Sequence, residues 1–275
     1  MIKTVDVDEL FDNYISDYVY SNIGKVKPEE IESKIPELYA EFGKKCLKEL
    51  DGFTPETYYS RFSGEELLAC LKNHLESGVA VSDFLCEAIT GNVKNEAALI
   101  AALDEENSDE FTLYVMNMLF EMGSTACAKR YLDFIAWDYS EGIIELATEA
   151  LCTMAESVKE EVLNLYKECE EDKKPYLTEI LSHIKNDDRV FDVLTLEFVR
   201  HEENVPLYAS YLARYGDERA IPFLIKAIEK EKISYADFEE LRFTIESLGG
   251  SYDKKRDFTA DKTYKKIKGV KKNNR

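Results

Sequence analysis

The chain has 275 residues, 45% of them hydrophobic, with only 12 Gly and 6 Pro. That is enough apolar material for a sizeable core and too few turn residues for a β-sandwich or barrel of this size. The net charge of −20 is unevenly spread: residues 253–275 carry ten Lys/Arg and three Asp, a net of +7, which leaves −27 on the rest. A body that acidic repels phosphate, which argues against duplex DNA as its ligand, and it favours basic partners.

No apolar run approaches the ~18 residues of a membrane span. The start, Met1 to Glu9, turns acidic at once and lacks the apolar core of a secretory signal, so a cytoplasmic protein is expected. Cys46, Cys70, Cys86, Cys127, Cys152 and Cys169 are scattered without a C-x-x-C pair. They read as buried free thiols in a reducing compartment.

Apolar residues recur at helical spacing almost throughout. Leu10, Phe11, Tyr14, Ile15, Tyr18 and Val19 form one stripe, and Leu67, Leu68, Leu71 and Leu75 another. The pattern predicts helices over 7–22, 28–34, 36–49, 55–62, 64–77, 82–90, 94–105, 109–122, 125–138, 141–155, 158–171, 175–185, 188–202, 205–215, 218–231 and 235–248. Ser63 and Glu66 have the spacing of a capping box. Ser82, Ser108, Ser140, Ser157 and Ser234 stand where N-caps belong. Pro28, Pro55, Pro175, Pro206 and Pro222 fall at helix starts, whereas Pro36 is expected to split a longer pattern in two.

The chain also repeats itself. Leu119 to Cys127 and Leu212 to Ala220 each hold a helix end, a glycine, a short polar turn and a small residue opening the next helix. Cys127, Tyr131 and Ile135 then correspond to Ala220, Leu224 and Ile228. Related turns fall near 91, 123, 155, 186, 216 and 249, steps that suit one helix–turn–helix unit. Such units bury their apolar faces only by stacking on their neighbours.

The stretch Tyr211 to Ile228, with its helix-ending Gly216, the turn Asp217-Glu218-Arg219-Ala220 and the helix-opening Pro222, resembles the short bacterial HEAT-like repeat. The resemblance implies an all-α fold, a right-handed α-α superhelix of the HEAT-like solenoid type. It is strongest over 205–231 and weaker over 109–200. Residues 1–62 are then expected to form an N-terminal helical cap, 63–250 the repeats, and 251–275 a basic flexible tail.

The enzymes that share this repeat do not find their residues here. Deoxyhypusine hydroxylases resemble such solenoids and hold two irons with several His-Glu pairs, but this chain has one, His201-Glu202. His201 reads instead as a solvated helix end, favoured there by the helix dipole. The alkylpurine glycosylases of this type need a basic groove with tryptophans, but Trp137 stands alone in an acidic body. Nothing points to a bilin, as the phycobilin lyases would require. No phosphate-loop, nucleophile-elbow or H-E-x-x-H motif occurs, so no catalytic residue, metal ligand or cofactor is assigned.

In a solenoid the inner helices line the surface where partners bind. Lys129, Asp133 and Trp137 are spaced to share one exposed face of such a helix, and Asp133 aligns with Lys226 in the later repeat. Core packing is the simpler role for Trp137. These residues are the candidate binding face. The function expected is a non-enzymatic scaffold whose acidic surface binds a basic protein or peptide. Alternatives are an RNA or anionic-surface contact through the basic tail, and an enzyme of HEAT-like type whose site is cryptic.

Overall fold

The computed structural model of the protein describes residues 2–23 and 28–273. Among these it is all-helical, with sixteen α-helices, short 3₁₀ turns and no strand. The helices are α1 (Val7–Ser21), α2 (Pro28–Phe42), α3 (Pro55–Tyr58), α4 (Gly64–Ser77), α5 (Asp83–Thr90), α6 (Glu96–Leu103), α7 (Asp109–Glu121) and α8 (Ala128–Ala136). They continue with α9 (Glu141–Thr153), α10 (Lys159–Glu168), α11 (Lys174–Ser182), α12 (Asp188–Arg200), α13 (Val205–Tyr215), α14 (Ile221–Ile228), α15 (Tyr235–Ser247) and α16 (Lys262–Asn273). Among the described residues no helix is long and apolar enough to cross a membrane. The chain divides into two compact units, Met1–Arg130 with Ser140–Leu146 and Tyr131–Tyr139 with Ala147–Arg275.

In the first unit, α1 packs on α2, and α2 packs on α5. Tyr39 of α2 stacks on Phe84 of α5 at 5.0 Å and meets Phe11 of α1 edge-on at 4.8 Å, with Phe42 buried beneath. Buried His74 of α4 reaches the Val5 carbonyl through Nε2 (3.2 Å) and the Cys70 carbonyl through Nδ1 (2.8 Å), which pins the first residues of the chain. The capping box forms as expected: Ser63 N donates to Glu66 Oε2 at 3.0 Å and Glu66 N to Ser63 Oγ at 3.3 Å. Ser108 and Ser234 also cap their helices, whereas Ser82 makes no capping bond and Ser157 lies inside a 3₁₀ turn.

Pro36 does not divide its helix. It sits inside α2, on an exposed stretch where the Glu32 carbonyl that loses its donor faces water. The expected helix over 36–49 instead ends at Phe42, and the chain turns back so that Leu47 N meets Phe53 O at 3.1 Å around the buried Leu50.

In the second unit α10 packs on α11, α11 on α12, α12 on α13 and α14 on α15, and α11 meets α13 as α13 meets α15. Stacked repeats give this pattern. Four of the six expected turns, at Gly123, Asn186, Gly216 and Gly249, adopt left-handed backbone, with φ of 66°, 56°, 82° and 86°. That conformation ends a helix sharply and suits glycine or asparagine. The other two differ: Gly91 is right-handed and Ala155 opens a 3₁₀ turn.

The Asp-x-Arg turn has a physical basis. Asp217 Oδ1 accepts the Arg219 backbone N–H at 2.9 Å, and its carboxylate also holds the Arg219 guanidinium. That guanidinium reaches Asp188 of the preceding turn at 2.8 Å. One repeat earlier, Asp187 holds Arg189 in the same way, and Arg189 reaches Glu160 with two bonds of 2.8 and 2.7 Å. Each arginine thus caps its own turn and ties it to the turn before.

Residues 251–267 are not the flexible tail expected of them. Tyr252 is buried, Phe258 packs against Phe238 and Tyr235, and Tyr264 meets Tyr235 at 5.0 Å. The Arg256 guanidinium donates to the carbonyls of Glu229 and Lys230 at the end of α14. The chain then enters α16, and Asn274 and Arg275 lie outside the described residues. The aromatics at 252, 258 and 264 are separated by mostly polar residues, so no continuous helical or alternating apolar pattern marks the segment.

The Arg189 guanidinium holds the Asp187 carboxyl well below the usual carboxylate range. A carboxyl depressed by folding stabilises above its unfolded value, near pH ~4, and loses that contribution as pH falls toward its folded value. Asp187→Asn is therefore expected to narrow the gap between urea-unfolding midpoints at about pH 7 and about pH 3. An unchanged gap contradicts the assignment.

Candidate functional site

Lys129, Asp133 and Trp137 fall on one face of α8 and its C-terminal end. Lys129 is exposed, Asp133 half-buried and Trp137 68% exposed. The core role favoured for Trp137 is thus overturned. Phe134 and Ile135 take the buried side of α8 instead, and Tyr139 meets Phe134 edge-on at 4.7 Å. Lys226 lies elsewhere, on the exposed side of α14, where it lines a groove.

That groove runs between α12 and α14 and holds about 390 Å³ of space. Phe198 and Val199 of α12, Val205 of α13, and Phe223 and Ala227 of α14 make it apolar. Glu202, Lys226 and Lys230 supply its charge, with Lys230 Nζ 2.7 Å from Glu202 Oε1.

A larger groove, about 870 Å³, opens in the first unit between α4, α6 and the start of α7. Its floor is Ala97, Ala98, Ala101 and Ala102 of α6, with Leu68 and Ala69 of α4 alongside. Small side chains leave the space between the helices unfilled. Lys72 Nζ donates to Asn107 Oδ1 at 2.8 Å, and Glu65 and Glu105 set two carboxylates on the rim against that one ammonium. The unit around it holds 12 basic and 27 acidic side chains, a net of −15, while the second unit holds 23 and 28, a net of −5.

The most unusual chemistry is a buried carboxylate. Glu197 of α12 is 0% exposed and accepts from Tyr166 Oη at 2.5 Å and Arg200 Nη1 at 3.3 Å, and faces His201 Nε2 at 3.1 Å. His201 Nδ1 faces Glu203 at 2.7 Å, and the ring stacks on Tyr208 at 4.7 Å. Each nitrogen of the His201 ring thus faces a carboxylate. His201 is therefore not a solvated helix end but a bridge between two carboxylates. Burial and the Glu197 charge push the Tyr166 phenol far up, and burial pushes Tyr208 up to about 12. The His201 contact holds Glu203 below the usual range. Glu197 was missed in the sequence although its position, seven residues after Val190 and three after Leu194, sets it on the apolar stripe of α12.

The thiols are free of disulfides. Cys70 and Cys127 are buried as expected, Cys86, Cys152 and Cys169 half-buried, and Cys46 exposed. Burial pushes Cys70 and Cys86 up to about 11 and Cys152 up to about 12, so these three stay protonated at neutral pH and are poor nucleophiles. Among the described residues no group of three or more His, Cys, Asp or Glu is placed to hold a metal ion.

Two outcomes follow from this geometry. Tyr166→Phe removes one of the donors to a fully buried carboxylate and is expected to cost about 1–3 kcal/mol in chemical unfolding; a loss within error contradicts the role given to the cluster. In the folded protein Cys46 is expected to react with Ellman's reagent well before the other thiols, and Cys70 and Cys127 only on unfolding, as mass mapping of the labelled peptides checks.

No protein-family model matches the chain, and no curated protein matches it.

Proposed function

We propose that this chain is a non-enzymatic, cytoplasmic scaffold of HEAT-like helical repeats, and that its acidic first unit binds a basic amphipathic helix of a partner protein. The observation that carries the reading is α6. After Glu96 it contains only Ala, Leu and Ile, the composition of a helix buried on all sides, yet Ala97 and Ala101 are exposed and floor the open groove. An apolar all-round helix left half-covered is a surface that gains by being covered. Alanine floors let a second helix approach closely, and helices pack at roughly 8–10 Å. Glu65, Glu105 and the net charge of −15 select lysine or arginine on the occupant's flanks. The free thiols agree with a reducing compartment.

A second reading rests on α16, where Lys262, Lys265, Lys266 and Ile267 are exposed on one short basic helix. Such a helix suits RNA or another anionic surface. Retention on immobilised RNA that survives deletion of 262–275 argues against it.

The main reading is tested by fluorescence anisotropy with a labelled helical peptide carrying leucine on one face and lysine on the other. Binding is expected at about 50 mM salt, weaker by several-fold at about 300 mM, and reduced by about ten-fold or more by Ala101→Arg, which fills the groove with like charge. Equal binding by wild type and Ala101→Arg rules out the groove as the site.

A further inference from the structure

We infer that the groove between α12 and α14 is a second peptide-binding site of opposite charge preference, which takes a segment inserting one aromatic or leucine side chain with a carboxylate beside it. Its space of about 390 Å³, open to solvent, is less than half that of the first groove and suits one side chain rather than a whole helix. The walls are apolar, and the apolar surface continues outside: Val199 and Phe223 are exposed at its edge and Leu196 is exposed one turn back on α12. Three large apolar side chains exposed together on two neighbouring helices are more than scattered exposure accounts for.

Charge decides the occupant. Glu202 and Lys230 already neutralise one another at 2.7 Å. Lys226 is exposed and enters no ion pair among the described residues, so the one uncompensated charge lining the groove is positive, on a chain whose net charge is −20. A basic segment gains nothing there, while a carboxylate next to an apolar anchor meets both the walls and Lys226. The lining presents no array of cations such as a nucleic-acid backbone needs. The site lies wholly within the second unit, so it is independent of the alanine-floored groove.

The test is selection of a random dodecapeptide display library on the full-length protein, with Lys226→Glu and Phe223→Ser variants as counter-selection and circular dichroism to confirm that both fold. Peptides retained by wild type and rejected by the variants are expected to share an aromatic or leucine residue flanked by Asp or Glu. Synthesised, they are expected to bind at least about ten-fold more weakly to Lys226→Glu, and to regain affinity for that variant when their own carboxylate is exchanged for lysine. Ala101→Arg is expected to leave this binding unchanged, which separates it from the first groove. Enrichment of basic peptides, or of peptides indifferent to Lys226 and Phe223, or no enrichment that depends on them, overturns the inference.

Discussion

The helices α10 to α15 are only 8 to 13 residues long, and in water helices of fewer than ~12–15 residues are marginal by themselves. Each therefore depends on burial against its neighbours, and everything else in the second unit depends on how one helix is turned back onto the next. The left-handed Gly216 stops α13 at once, and the left-handed Asn186 turns the chain between the end of α11 at Ser182 and the start of α12 at Asp188. The aspartates that follow cap the next element and hold an arginine that grips the previous turn. These are exposed ion pairs, individually weak. Their value is geometric, because the same fork both closes a turn and spaces it from its neighbour. Tyr215 adds to it, its hydroxyl meeting both the N–H and the carbonyl of Asp187 at 3.0 and 2.9 Å.

The buried Glu197 cluster serves the same end from the inside. Burying a carboxylate costs several kcal/mol that partners only partly return, so such a group is a weak source of stability. It is, however, selective: Tyr166 comes from α10, Glu197 and Arg200 from α12, and Tyr208, which stacks on His201, from α13. These contacts form only where the three elements bring their polar groups to one point. We read the cluster as a registration device between repeats.

Where side chains do not fill the space between helices, grooves result, and the two grooves differ in what they select. One is floored by alanine and rimmed by glutamate in a unit of net −15; the other is walled by Phe and Val and carries an unpaired lysine. The strong acidity of the chain is therefore not a uniform coat. It is concentrated in the first unit, while the second is closer to balance because residues 253–275 bring ten basic side chains to it.

Local rules were legible along the chain. Periodicity located nearly every helix, the Ser63–Glu66 spacing announced its capping box, the prolines marked helix starts, and the turns at Asn186 and Gly216 followed from residues that tolerate left-handed backbone. Each of these is an interaction between residues a few positions apart, which is why sequence by itself determined them. It also placed Lys129, Asp133 and Trp137 on one helix face, for the same reason. Only the tertiary structure decided which side of that helix is covered, and it left Trp137 in solvent because Phe134 and Ile135 fill the core position. It likewise decided that Pro36 is tolerated, since the orphaned carbonyl is exposed to water, and that Tyr252, Phe258 and Tyr264 bind the last segment to α15 and its neighbours. The burial of Glu197, the exposure of the α6 alanines and the lone charge of Lys226 depend on what residues distant in the chain bring alongside, and no local pattern encodes that.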